Sequence, residues 1–162
     1  MRSIYARNLT RYTTVAAALG IFLGVTNSAG ASERVAAEYG CTGSLIDTYP
    51  VRTSTGATYG NIRLYCNSAT GRNCAVNVKT SLGGYGKASH VSVTLKHCKT
   101  STPGAWCNTS GEPWRQDWGN YTYYAGPVEL SAAGRCIHVV GAVNDSPPHA
   151  DGSSGSNGVH CG

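Results

Sequence analysis

Apolar and polar residues alternate with a period of two along much of the chain. Ile62, Leu64 and Cys66 alternate with Arg63 and Tyr65, and Cys74, Val76 and Val78 alternate with Asn77 and Lys79. Successive side chains of a strand point to opposite faces, so each run predicts a half-buried strand. The connection NSATGRN supplies Gly71 and Asn73, which accept positive backbone angles, and the pair reads as a hairpin. Val91, Val93 and Leu95 alternate with Ser92, Thr94 and Lys96 in a third strand; YTYY and VEL, divided by Gly126-Pro127, predict two more, and RCIHVV another. No amphipathic stretch of helical period follows the N-terminal segment, and the chain holds 21 Gly and 6 Pro. The predicted class is therefore all-β, a small disulfide-stabilised antiparallel β-sandwich or barrel. Residues 144–158, NDSPPHADGSSGSNG, have almost nothing apolar to bury and predict an exposed loop.

The N-terminal run VAAALGIFLGV, residues 15–25, is apolar on every side. It is shorter than the roughly 20 residues a membrane-spanning helix needs. Arg2, Arg7 and Arg11 precede it and SAGAS follows, the arrangement of a secretory signal peptide. The expected leader is residues 1–31, cleaved after Ala31, with a second small-residue position after Ala37, and residues 32–162 form a single secreted β domain. Three of the thirteen basic residues leave with the leader while all eight acids stay, so the mature form carries only about +2. Its Lys and Arg are spread singly, which argues against nucleic acid as a partner. No second apolar span follows, so no membrane segment is expected in the mature form.

The seven cysteines, Cys41, Cys66, Cys74, Cys98, Cys107, Cys136 and Cys161, all follow the leader. An exported chain meets an oxidising compartment, where disulfides are the default. The tightest spacing, Cys66 to Cys74, is too loose for a zinc knuckle, so neither metal nor cofactor is expected. An odd number leaves one thiol unpaired in a monomer and on the order of 100 connectivities open. In CKTSTPGAWC a Thr-Pro-Gly turn brings Cys98 towards Cys107, which predicts that bridge.

The stretch WRQDWGNYTYYAGPVEL concentrates Trp114, Trp118, Tyr121, Tyr123 and Tyr124. As a strand, YTYY would place Tyr121 and Tyr123 on one face, Thr122 and Tyr124 on the other. Packing is the favoured reading, because Tyr suits strands with its ring buried and its hydroxyl at water. Truncating each Trp to Ala would then cost about 3 to 5 kcal/mol. The competing reading is a ligand-binding face, with exposed rings stacking on sugars and Arg115, Asp117 and Asn120 supplying hydrogen bonds; it requires several rings exposed together. His90, His97, His138, His149 and His160 lie in no nucleophile or zinc motif. The acids Asp47, Glu112, Asp117, Glu129, Asp145 and Asp151 are equally dispersed, so no catalytic residues are assigned and the protein is not expected to be an enzyme.

LYCNSATGRNCAVNVKT, DWGNYTYYAGPVEL, GRCIHVVG and the final HCG together resemble the spore-associated protein A family, small proteins exported by filamentous spore-forming bacteria. The resemblance covers most of residues 60–162. It implies a secreted, surface- or spore-associated, disulfide-containing β domain with no established enzymatic role. The family's cysteines fall on Cys41, Cys74, Cys136 and Cys161; Cys66, Cys98 and Cys107 are additions, and CIHVVG stands where relatives tend to have a tryptophan followed by glycines. Cys66 takes the place of an aromatic, which makes it the expected free thiol. The expected bridges are then Cys98 with Cys107, Cys41 with Cys74, and Cys136 with Cys161, the last holding a Ser/Gly-rich tail against its chain entropy. The rival pairs Cys66 with Cys74 and frees Cys41. The functional expectation is a secreted non-catalytic protein of the spore or cell envelope, with envelope polysaccharide or the spore surface as candidate partner. One alternative is a carbohydrate-binding module using the aromatic face. Another is a secreted hydrolase or an enzyme inhibitor presenting the CKTSTPGAWC loop. The sequence leaves the oligomeric state open.

Overall fold

The computed structural model describes residues 38–144 and 146–162. The expected signal peptide, residues 1–31, lies outside the described residues, as does Asp145. Eight strands follow in chain order: β1 (Ser44–Thr53), β2 (Thr58–Asn67), β3 (Arg72–Lys79), β4 (Ser89–His97), β5 (Trp114–Tyr121), β6 (Tyr124–Ser131), β7 (Ile137–Val143) and β8 (Ala150–Ser153). They form one antiparallel sheet in the order β5-β4-β7-β8-β1-β2-β3-β6. The two end strands, β5 and β6, are consecutive in the chain, and the sheet curls into a nearly closed barrel. Its seam is bridged by Asp117, whose carboxylate accepts hydrogen bonds from the Gly126 N–H at 2.6 Å and the Tyr121 hydroxyl at 2.7 Å.

Inward-facing residues fill the barrel. Val51, Ile62, Leu64, Ala75, Val91, Val93, Leu95, Ile137, Val139, Val143 and Ala150 are fully buried together, so the alternation in β2, β4 and β7 points at one common core. β3 departs from its expected faces. Ile62 pairs with Asn77 and Leu64 with Ala75, which turns Asn77 and Lys79 inward and Cys74, Val76 and Val78 outward. Asn77 is tolerated because its Nδ2 donates to the Ser92 carbonyl at 2.9 Å and the Ala142 carbonyl at 3.1 Å. Room for it comes from glycines: a Cβ on Gly60 would lie 2.6 Å from Asn77 Oδ1, and one on Gly141 2.9 Å from its Nδ2. Lys79 closes one end of the barrel, its ammonium donating to Lys87 O, Ser89 Oγ and Tyr121 O. Burial pushes its pKa below the ordinary lysine value.

The outward face of β3 is covered in turn. Cys74, Val76 and Val78 pack with Tyr65 and Cys41, and Tyr39 and Tyr124 close over them. The Cys41–Cys74 disulfide fastens the segment preceding β1 to this surface. Glu38 reinforces it, accepting from the Tyr65 hydroxyl at 2.7 Å and pairing with Arg63. The other bridges, Cys98–Cys107 and Cys136–Cys161, are packed together in a third cluster. Cys66 is the free cysteine.

Two further expectations are corrected. YTYY is not one strand: β5 ends at Tyr121, Thr122 and Tyr123 form the turn, and β6 begins at Tyr124 and runs through Gly126-Pro127, where the β3–β6 register shifts between Ala75 and Asn77. Residues 144–158 are not simply an exposed loop either. Ala150–Ser153 is β8, inserted between β7 and β1, with Arg52 opposite Asp151 and Val143 opposite Ala150. So polar a segment fits because its backbone is paired on both sides, Ala150 is buried inward, and Gly152 lies where a Cβ would be 2.6 Å from the Pro50 carbonyl oxygen.

Candidate functional site on the outer sheet face

Strand alternation places Trp114, Gln116, Trp118 and Asn120 of β5 outward, beside His90, Ser92, Thr94 and Lys96 of β4. Pairing carries the same face across the sheet. Trp118 stands opposite Ser92, Ser92 opposite Ala142, Ala142 opposite Asp151, and Asp151 opposite Arg52. A parallel row runs from Gln116 through Thr94 and Val140 to Ser153. Five strands thus present a polar floor flanked by tryptophan. Two open depressions lie along it, about 450 and 580 Å³, and share Thr94 and Gln116. Trp114, Lys96 and Glu112 line the first; Arg52, Ser92, Asp151 and Ser153 line the second.

The five aromatic candidates do not form one platform. Trp114 and Trp118 are 54% and 63% exposed and share the outer face of β5, Trp118 with the His90 ring 6.3 Å away. The packing expectation therefore fails for both. Tyr121 points inward against the core, its hydroxyl given to Asp117, which raises its pKa above the ordinary tyrosine value. Tyr123 sits in the turn against Tyr85, with ring centroids 4.9 Å apart. Tyr124 packs edge-on against Tyr39, away from the tryptophans. Of the expected hydrogen-bonding neighbours, Asn120 faces outward with the tryptophans, while Asp117 is taken up by the seam.

The histidines are dispersed. His97 Nε2 is 2.6 Å from Ser131 O, His149 lies 2.8 Å from Asp151, and His160 Nε2 is 3.4 Å from Asp47 Oδ2 and 3.5 Å from the Tyr49 hydroxyl. His138 is held neutral to lower pH than an ordinary imidazole by burial and by the nearby Lys96 ammonium. Among the described residues no cluster of three or more His, Cys, Asp or Glu is arranged to hold a metal ion. No helix among them is long and apolar enough to cross a membrane. The Cys98–Cys107 loop is not free-standing: Gly104 and Cys107 N–H groups donate to Gly158 and Ser156 carbonyls, leaving Trp106 exposed on a tethered loop.

Sequence reasoning missed the contributions of Arg52, Asp151 and Ser153, which come from strands it did not place. Ser92, Thr94 and Lys96 carried a usable signal, since their alternation with Val91, Val93 and Leu95 already assigns them to the outer face of β4.

Compared with known proteins, the chain is similar to spore-associated protein A of Streptomyces coelicolor, 28% identical over 134 residues, covering 82% of this chain and 77% of that protein. This likeness supports a place in a spore-associated protein A-like family. No family model matches the chain, and no solved structure matches it.

Proposed function

We propose, starting from this kinship with a protein named for its association with spores, that the chain is an exported, non-catalytic protein of the spore or cell envelope that attaches to envelope polysaccharide through its outer sheet face. The observation that carries the reading is the pair of exposed tryptophans, Trp114 and Trp118, on one face beside a polar floor. An indole exposed over a strand offers a flat apolar surface to the C–H face of a sugar ring. Ser92, Thr94, Gln116, Arg52 and Asp151 offer donors and acceptors for its hydroxyls. Three disulfides suit an extracellular location.

Co-sedimentation of the purified secreted protein with isolated envelope polysaccharide tests this. The parent sediments with it, and Trp114→Ala and Trp118→Ala each weaken binding by about 5- to 30-fold, the range of an interface anchor. Both variants keep the parent's thermal stability to within a few degrees, because the rings are largely exposed. Equal binding by parent and double variant overturns the proposal, as does a parent that stays in the supernatant.

A further inference from the structure

A second concavity lies at the end of the barrel where β2 passes into β3, remote from the outer-face tryptophans. It encloses about 430 Å³ and is walled largely by apolar groups, Ile46 and Ala132 among them. Two residues in it are unusual. Cys66 is the free thiol in a chain whose other cysteines are bridged. Directly opposite it across the β2–β3 ladder, on the same face, stands Asn73. Asn73 is 5% exposed, lines the same cavity, and its Oδ1 is buried with no hydrogen-bond partner among the described residues. A buried amide oxygen without a donor carries an uncompensated desolvation cost, which a ligand N–H would remove. Opposite residues of an antiparallel pair have Cβ atoms about 5 Å apart, so a molecule joined to Cys66 would lie beside the Asn73 side chain.

We propose that this cavity captures a low-molecular-weight thiol compound carrying an amide-type N–H, joined to Cys66 as a mixed disulfide with that N–H donated to Asn73 Oδ1. The volume falls in the range of small-molecule sites, about 300–1,000 Å³. A second protein chain fits poorly, because a disulfide requires the two Cα atoms to approach within about 7 Å. Here Cys66 is partly buried in a concavity that Gly134 and His160 also line, a less accessible position than an exposed surface thiol offers a second backbone. The chemistry is exchange with a low-molecular-weight disulfide. The Cys66 thiolate attacks one sulfur, that S–S bond breaks as the new one forms, and the departing half leaves as a thiolate that takes up the proton Cys66 lost. One disulfide is consumed and one formed, so no external oxidant or reductant enters.

The test uses the full secreted chain and two matched neutral reagents: diacetylcystamine, which carries an amide N–H, and its N-methylated analogue, which carries none. Intact mass expects one adduct per chain, and non-reducing peptide mapping places it on Cys66. The N–H reagent is expected to accumulate about 5- to 10-fold more adduct than its analogue at equilibrium, the worth of one hydrogen bond to a buried acceptor. Asn73→Asp retains this preference and Asn73→Leu abolishes it. Should Asn73→Leu not fold, the parent decides alone, since the preference must be present in the native chain and vanish in urea. Equal adduct from both reagents in the native parent overturns the proposal. So does an adduct at Cys136 or Cys161, or a disulfide-linked pair of chains forming in its place.

Discussion

Replacing Asp117 opens the barrel at its only seam not closed by a ladder among the described strands. β5 and β6 lie at opposite ends of the strand order, and the Asp117 carboxylate links them by accepting from Gly126 N–H at 2.6 Å while also holding the Tyr121 hydroxyl at 2.7 Å. Hydrogen bonds to a charged acceptor contribute about 1.5 to 3 kcal/mol each, and partial exposure of Asp117 places both at the lower end. Asp117→Ala is therefore expected to cost about 3 kcal/mol. Asp117→Asn, which keeps one acceptor oxygen, should cost about half of that, and Tyr121→Phe about 1 kcal/mol, since the carboxylate then keeps its backbone partner. Urea unfolding followed by tryptophan fluorescence measures all three, with Trp118 adjacent in sequence as reporter. Hydrogen exchange at the Gly126 amide gives the local readout, expected to speed up in both Asp117 variants but little in Tyr121→Phe. A loss below 1 kcal/mol in Asp117→Ala, with Gly126 exchange unchanged, would refute the seam as described.

Removing the Cys41–Cys74 bridge by double serine substitution is expected to cost about 3 to 4 kcal/mol by the chain-entropy estimate for its 33-residue separation, read from urea midpoints at a common slope. The loss should release the segment around Tyr39 first, seen as protease cleavage before global unfolding. For His138, the folded-state pKa lies below the unfolded one. Above an ordinary histidine pKa of about 6.5 both states are neutral and nothing is lost; as pH falls below it the unfolded chain takes the proton first and stability drains. Melting temperatures between pH 7 and 5 should therefore decline less steeply in His138→Gln than in the parent, and equal slopes would count against it.

The parts of the fold legible in the sequence are those where one face is apolar and the other is not. Val91, Val93 and Leu95 against Ser92, Thr94 and Lys96 gave both the strand and its orientation, and the β2–β3 turn announced itself through Gly71, which has a φ of +63°. β3 defeated the same logic because both its faces are buried, so alternation could not say which set lines the barrel. The inward polar residues depend on distant glycines: nothing near Asn77 in sequence indicates that Gly60 and Gly141 make room for it. The packing reading of the aromatic stretch rests on the strand preference of its tyrosines, which says nothing about the two tryptophans. Here the inward positions of β5 are Asp117, Gly119 and Tyr121, and the bulk is turned out. The site's polar floor was illegible as a unit, since it is assembled from five strands spread over about a hundred residues.

β8 also imposes an order of events on a chain that emerges from its N-terminus. Four residues near the C-terminal end slot between β7 and β1, joining Asp151 to Arg52 across nearly a hundred intervening positions. Until they arrive, β1 and β7 each present an unpaired edge, and the β1–β2–β3–β6 half of the sheet cannot be continuous with the β5–β4–β7 half. A chain made from its N-terminus thus holds two open half-sheets until its last stretch is released. Chain release and sheet closure are coupled by topology, and a truncation or stall before residue 150 leaves two sticky edges rather than a slightly shortened barrel.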